Sequence, residues 1–233
     1  MKKILTFISL FCISFSMLAQ EDGKPDGYEM PQEFAVLRTA AELATLGYKT
    51  YSPTALIEAA RILASTGYVA TDIELVESIQ TENEVEEKDS AVTYDPMQLL
   101  SDAEKFAGKD RTLLALIKKT KKDVVKILKM KEETQQRGAE GGPYRIQSRV
   151  RGVSYDKYTR RFLANQIASV SISGDGDTDL DLYIYDTEGN LVTKDDSYSP
   201  HCYCSWIPSL TNSYIIKIVN RGRMFNDALV VTN

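Results

Sequence analysis

The stretch Gly174-Asp-Gly-Asp-Thr-Asp-Leu-Asp-Leu-Tyr-Ile-Tyr-Asp186 contains five aspartates and passes directly into an alternating apolar and polar pattern. Alternation over residues 180–185 predicts a β-strand with one buried face, because successive side chains of a strand point to opposite faces. The pattern predicts three side chains facing a core and four facing away, which are respectively Leu180, Leu182 and Ile184, and Asp179, Asp181, Tyr183 and Tyr185. An acidic loop therefore lies at the rim of a β-sheet.

The rest of the C-terminal region has the same strand-like character. Short apolar runs are separated by connections rich in Gly, Asp, Asn, Ser and Pro, which predict about eight strands, at residues 146–150, 155–162, 167–172, 180–186, 191–194, 203–206, 214–220 and 228–232. Residues 186–190 predict a hairpin turn in which Gly189 takes a positive φ. Trp206 and Tyr214 are the predicted aromatic centre of the core. The pattern favours an antiparallel β-sandwich of jelly-roll type.

The acidic loop also predicts a cation site. Closely spaced carboxylate oxygens are the ligands that a hard cation such as Ca²⁺ prefers, so the five aspartates of this stretch favour a calcium ion at the rim of the sheet. An EF-hand is excluded, because Leu180 stands where that loop requires glycine and strands flank it. The alternative is a solvated acidic turn whose carboxylates cap backbone amides.

Residues 33 to about 130 have helical periodicity. A first helix is predicted over 33–46 with Gly47 as its stop, and Ser52 with Pro53 predicts the start of a second. The pattern that begins at Tyr51 and Pro53 returns 43 positions later at Tyr94 and Pro96. Repeated helical hairpins are one interpretation, weakly similar to tetratricopeptide-like repeats, and a small irregular helical bundle is the other.

These patterns predict an α+β protein of two domains. Residues 1–19 resemble an export signal, with two lysines before an apolar run. A helical domain follows over 31–131 with an acidic linker at 81–93, then a linker at 132–143 and the sandwich at 144–233. We expect a secreted or periplasmic chain without a transmembrane span.

Charge and motif content restrict the function classes. A formal net charge of −5 does not favour a nucleic-acid partner. The chain contains one histidine, His201, beside Cys202 and Cys204, and it lacks the usual hydrolase and phosphate-loop motifs. The cysteines are predicted to be structural or disulfide-bonded rather than metal ligands, and we expect no enzymatic activity.

The residues from Ala168 to Asn190, together with Cys204-Ser-Trp-Ile-Pro208 and residues 214–220, resemble the bacterial pre-peptidase C-terminal domain over about residues 144–233. The resemblance implies a jelly-roll sandwich appended to secreted proteins, commonly peptidases, and related collagenase domains bind calcium and extracellular polymers. It implies calcium ligation by Asp175, Asp177, Asp179 and Asp181, with Asp186 as a further ligand. The helical region here carries no protease signature.

We therefore expect a secreted non-catalytic binding or accessory protein. Its helical region would engage a partner, and its calcium-stabilised sandwich would contact an extracellular or cell-surface protein or polymer. One alternative is a hydrolase-associated protein of peptidase type. Another is an envelope-surface protein attached through the lysine-rich amphipathic helix predicted over 111–131.

Overall fold

The structure is a computed structural model that describes residues 29–66, 69–70, 75–79, 91–135 and 144–233. The predicted export signal and the greater part of both predicted linkers lie outside these residues. Within them, four helices and ten strands form an α+β arrangement with two β-sheets. The division into two domains stays a prediction.

The helices form two pairs that are consecutive in sequence and in contact: α1 (Gln32–Thr50) with α2 (Pro53–Ser65), and α3 (Pro96–Ala107) with α4 (Arg111–Gln135). The predicted start of α2 is confirmed, since the Ser52 hydroxyl accepts a hydrogen bond from the amide of Ala55 and Pro53 is the first helical residue. Asp95 and Pro96 begin α3 in the same way. Each proline is tolerated because the first helical N–H has no intrahelical partner.

The predicted stop of the first helix at Gly47 is wrong. Helix α1 continues to Thr50, and Tyr51 takes the left-handed conformation with a φ of 52°. Gly47 is a glycine for a different reason, because a Cβ at this position would overlap the Leu56 side chain. The absence of a side chain at Gly47 lets α1 and α2 approach closely. In the sequence, a glycine required for such packing looks the same as a glycine that ends a helix.

The sequence echo does not correspond to repeated hairpins. Its first copy begins α2, the second helix of one pair, whereas its second copy begins α3, the first helix of the next pair. The two echo helices pack against each other, and Ala60 and Ala103, at matching positions, are both fully buried. The similarity between the two sequence copies is explained by small residues at the contact between α2 and α3 and by the same type of N-terminal cap. It does not require a repeat architecture.

Ten strands make two five-stranded sheets. They are β1 (Val69–Ala70), β2 (Leu75–Ile79), β3 (Tyr144–Val150), β4 (Ser154–Phe162), β5 (Ala168–Gly174), β6 (Leu180–Tyr185), β7 (Leu191–Asp195), β8 (His201–Trp206), β9 (Asn212–Asn220) and β10 (Asn226–Thr232). Sheet A has the order β1-β3-β10-β5-β8, and sheet B has the order β2-β4-β9-β6-β7. The eight strands predicted from sequence correspond to β3 through β10.

Strands β1 and β2 correct the expectation that residues 33 to about 130 are helical. They lie between α2 and α3 in sequence and add an edge strand to each sheet, with β1 parallel to β3 and β2 antiparallel to β4. Segments of two and five residues are too short for periodicity to separate a strand from a helix.

The sandwich core lies between the sheets, as predicted for Leu180, Leu182 and Ile184, which are fully buried. Trp206 and Tyr214 occupy the predicted aromatic centre, with ring centroids 5.2 Å apart. The hairpin after β6 is also confirmed, since Gly189 has a φ of 88° and β6 pairs with β7.

The helices cover the outer face of sheet A. Leu229 and Val231 of β10 belong to the helical hydrophobic core, and Phe34 of α1 packs edge to face on Tyr203 of β8 at 6.1 Å. Every residue of β5 and β10 is consequently buried, because core side chains cover both faces of these strands. The described layers follow the order helices, sheet A, sheet B.

Candidate functional site

The acidic loop joins β5 to β6, and its first aspartate is held inside the protein. Asp175 is 1% exposed, and its Oδ2 accepts a hydrogen bond of 2.7 Å from the amide of Asp227. Its Oδ1 accepts a second bond of 3.1 Å from the amide of Asp177. This carboxylate therefore fixes the backbone of two neighbouring segments. It caps backbone amides, as the alternative of an acidic turn predicts, but it is buried whereas that alternative expects it to be solvated.

A lysine of helix α1 supplies a cation to the loop. The Lys49 ammonium lies 2.9 Å from Asp177 Oδ1 and donates a hydrogen bond of 3.0 Å to the main-chain oxygen of Asp175. One carboxylate and one carbonyl oxygen are the kinds of ligand that calcium would use. Lys49 therefore occupies the oxygens that the predicted ion requires.

Asp179 and Asp181 have other partners. Asp179 Oδ1 accepts a hydrogen bond of 2.7 Å from the amide of Ser199, while its main-chain oxygen accepts one from the amide of Arg221. Asp181 lies on the outer face of sheet B, as predicted, yet it is 2% exposed because the Arg221 guanidinium covers it with contacts of 2.5 Å. Hydrogen bonding to Asp181 raises the pKa of Arg221.

Asp186 lies at the opposite end of β6 from the acidic loop. Its Oδ1 accepts bonds from the amides of Glu188 and Asn190, at 2.9 and 2.8 Å, and closes the hairpin turn. The hydrogen bonds from Asn190 lower its pKa. A six-residue strand separates Asp186 from the loop by about 20 Å, so it cannot share an ion with Asp175.

The five predicted calcium ligands are therefore not brought together. Within the described part of the chain, no three histidine, cysteine or acidic side chains form a group that could hold a metal ion. The residues present do not fit one shared site, because lysine, arginine and backbone amides already contact their oxygens. Calcium binding stays a prediction.

The histidine and the two cysteines do not share a site either. Cys202 and Cys204 are buried and free, with side chains in the sandwich core, and the Cys202 thiol donates to the carbonyl of Leu180 at 3.0 Å. His201 faces α1, where its Nε2 lies 3.6 Å from Glu42 Oε1. Burial raises the pKa of Cys204 to about 12, so the reactive thiolate is disfavoured.

The outer face of sheet B carries a group of side chains that we call the tyrosine–lysine face: Tyr155, Lys157, Tyr183, Tyr185, Lys217 and Arg221. Its register follows from strand pairing, since Lys217 of central strand β9 lies opposite Lys157 of β4 on one side and Tyr183 of β6 on the other. The Lys217 ammonium lies 4.1 Å from the centroid of the Tyr155 ring. Tyr183 and Tyr185 are stacked with an interplanar angle of 24°.

Charge on this face is unevenly balanced. Lys157 Nζ lies 2.6 Å from Glu77 Oε2, and Arg221 is paired with Asp181. Lys217 contacts no carboxylate within ion-pair distance among the residues that the structure describes, and burial, then the charge of Lys157, lowers its pKa. Like charges directly opposite each other on neighbouring strands are destabilising. The position of Lys217 on the tyrosine–lysine face is therefore unfavourable for the stability of the fold.

Sequence reasoning identified only part of this face. The outward direction of Tyr183 and Tyr185 is confirmed, since both are only partly buried beside buried Leu182 and Ile184. It missed Lys157 and Lys217, because their meeting depends on the pairing of β4 with β9, which are distant in sequence. The alternation of polar and apolar residues along both strands was the available signal.

No family model matches the chain, and no curated protein matches it. Among the solved structures that are similar to part of the chain are two bacterial proteins. One is the pre-peptidase C-terminal domain of collagenase from Bacillus anthracis, with 10% identity, a TM-score of 0.35, and coverage of 38% of this chain and 87% of that one.

The other is the Aeromonas hydrophila protein PliG, a periplasmic lysozyme inhibitor of g-type lysozyme. It is 14% identical with a TM-score of 0.34, over 42% of this chain and 92% of that one. Similarities at this level carry no argument about function, and the resemblance to the pre-peptidase family stays a prediction.

Proposed function

We propose that this chain is a non-catalytic binding protein of the cell exterior and that the tyrosine–lysine face is its contact surface. The observation that carries the proposal is the unequal cover of the two sheets. Helices bury the outer face of sheet A, whereas partly exposed tyrosines and a lysine without a carboxylate partner in the described chain occupy the outer face of sheet B. Tyrosine provides contact area at low cost in side-chain entropy, which suits a binding surface.

The helical layer then has a mainly structural role. Its contacts with sheet A combine apolar packing with buried polar bonds, among them a hydrogen bond of 2.9 Å from the Tyr94 hydroxyl to the carbonyl of Asp227. The Gln147 side chain bonds both the amide and the carbonyl of the segment before α3, at Tyr94 N and Val92 O. Such contacts are typical of a helical layer that stays packed on sheet A. This structural role replaces the partner-binding role that the sequence predicts for the helical region.

Our proposal includes the jelly-roll topology expected from sequence, and the strand order supports it. Numbered from β3 to β10 as one to eight, the strands lie in the order one, eight, three, six in sheet A and two, seven, four, five in sheet B. Closely wound double-sheet connectivity of this kind is used by lectin domains, among others. Export to the cell exterior is part of the same proposal and rests on the signal-like residues 1–19.

Attachment to an envelope surface through the lysine-rich helix is less well supported. Ile117 and Val124 of α4 are buried in the helical core, so they are not available to enter a membrane. None of the helices within the described ranges combines the length and apolarity that a bilayer span requires.

Retention on cell envelopes tests the proposal. The double variant Y183S/Y185S should bind envelopes of the source organism at least about tenfold more weakly than the unmodified protein, because it removes the aromatic contact area. The matched control is Y51S/Y198S, which removes two tyrosines that are 72% and 94% exposed elsewhere. Equal retention of both variants would contradict the proposal.

A further inference from the structure

We infer that the tyrosine–lysine face binds an acidic polysaccharide, with carboxylate groups of the polymer at Lys217 and its neighbours and sugar rings against the tyrosines. This inference rests on the proposed function and names the ligand class. It follows from three features of the face: a row of cations in register, aromatic rings beside that row, and a centre unsuited to a protein partner.

The cations form a row that crosses strands β4 and β9. Lys157 and Lys217 are directly opposite each other in adjacent strands, which places their Cβ atoms about 5 Å apart. Arg221 follows the end of β9 and extends the positive charge toward β6. A polymer with repeated anionic groups can contact several of these cations at once, and each contact relieves the repulsion that the lysine pair creates.

Aromatic rings border the row on both sides. Tyr155 lies beneath the Lys217 ammonium, and Lys157 lies 5.1 Å from the centroid of the same ring. Tyr183 is directly across from Lys217 in β6, and its hydroxyl accepts a hydrogen bond of 3.0 Å from Arg221. Tyrosines thus combine apolar ring surface with hydroxyl groups, which matches the apolar and hydroxylated faces of a sugar ring.

A protein partner fits this face less well. Stable protein interfaces have an apolar core from which lysine is depleted, and here two lysines stand at the centre of the sheet. Duplex nucleic acid requires a broad basic footprint, whereas Glu77 and Asp181 interrupt the positive charge and the whole chain is acidic. The ligand class that fits this face best is therefore a polymer of moderate negative charge density that contains sugar rings.

Direct binding to defined polymers tests the inference. The full chain should bind immobilised polygalacturonate, and it should bind the fully methyl-esterified form of the same polymer at least about tenfold more weakly, since esterification removes charge but keeps the sugar rings. Binding should also weaken as salt is raised. Equal binding to the charged and esterified polymers, equal binding to duplex DNA, or no binding to polygalacturonate would overturn the inference.

Charge-reversal variants locate the site. K217E should bind polygalacturonate at least about tenfold more weakly, K217R should bind like the unmodified chain, and the control K126E, which alters an exposed lysine of α4, should be unaffected. Melting temperatures of the three variants verify that each is folded. Equal loss in K217E and K126E would contradict the assignment.

The two proposals fail in different ways. If Y183S/Y185S loses retention on envelopes but polygalacturonate is not bound, the polysaccharide inference is wrong and the contact surface stands. If Y183S/Y185S is retained like its control, the contact surface itself is wrong.

Discussion

The ammonium of Lys49, in the last turn of α1, lies 2.9 Å from Oδ1 of Asp177 in the acidic loop of the sandwich. The same nitrogen bonds the main-chain oxygen of Asp175. A lysine therefore joins the helical layer to the loop in which sequence alone predicts a calcium ion. Because a fixed side-chain cation and a divalent ion would contact the same oxygens, the two should compete.

Removal of Lys49 should strengthen any response to calcium. We expect K49M to melt at a higher temperature in millimolar Ca²⁺ than in EDTA, by more than the unmodified chain does, since the freed oxygens are calcium ligands and a ligand of the folded state raises its stability. Calorimetric melting of both proteins under both conditions measures this. K118M, which alters an exposed lysine of α4, is the control. Identical calcium shifts in K49M and K118M would show that Lys49 does not occupy an ion site.

Two cations stabilise the C-terminal end of α2. Arg145 of β3 is 5% exposed and donates a hydrogen bond of 2.5 Å to the carbonyl of Leu63, while Lys131 donates to the carbonyls of Ala64 and Thr66. Burial lowers the pKa of Arg145 to about 10, which leaves it protonated at neutral pH. Positive charge is favourable there because the helix macrodipole is negative at that end.

Substitution R145M should lower the free energy of unfolding by about 1–3 kcal/mol, because it removes the charged donor from the buried Leu63 carbonyl, which keeps the weaker bond from the Thr66 hydroxyl. R61M is the control, since Arg61 is 59% exposed and its pair with Glu58 is worth little. Urea unfolding of both variants provides the comparison. A loss in R145M no larger than in R61M would contradict the capping role.

The single histidine reports on the contact between α1 and β8. Burial, then the charge of Arg38, lowers the pKa of His201, with Glu42 acting in the opposite direction. Between the lowered pKa and the ordinary value of 6.5, the unfolded chain binds more protons. Stability should therefore fall as the pH drops below about 6.5.

Proton NMR titration measures this pKa without ambiguity of assignment, because the chain has one histidine. We expect a value below 6.5 in the unmodified protein, a higher value in R38Q and a lower one in E42Q. A value at or above 6.5 in the unmodified protein would show that His201 is not buried against α1.

Asp156 of β4 should reduce stability at neutral pH. It is 5% exposed, and burial raises its pKa despite hydrogen bonds that include one of 3.3 Å from the Ser148 hydroxyl. The folded state then binds more protons above pH 3.8, so stability falls as the pH rises through the raised pKa. D156N should melt at a higher temperature than the unmodified chain at pH 7, with the difference shrinking below pH 4. A difference that does not depend on pH would contradict this explanation.

Local patterns determined most of the sandwich. The alternation in 180–185 predicted the burial of Leu182 and Ile184, and turn residues separated all eight strands from β3 to β10. The edge strands β1 and β2 were not predictable, because their pairing depends on the rest of the sheets. Gly47 was misassigned since close helix packing and a helix stop both require glycine.

The candidate site was harder to predict than the fold. Asp181 and Asp177 are acidic in sequence, but their partners Arg221 and Lys49 are contributed by distant segments and neutralise them in the folded chain. The position of Lys217 opposite Lys157 likewise arises from strand pairing. Charge clusters in sequence therefore indicate a site only after their long-range partners are known.

Hydroxyl-radical footprinting of the chain bound to source-organism envelopes tests the proposed contact surface most directly. The account predicts that Tyr183 and Tyr185 are protected from oxidation in the bound state, while the exposed Tyr51 and Tyr198 react at the same rate as in the free protein. Unchanged oxidation of Tyr183 and Tyr185 on binding, or protection of Tyr51 in their place, would contradict it.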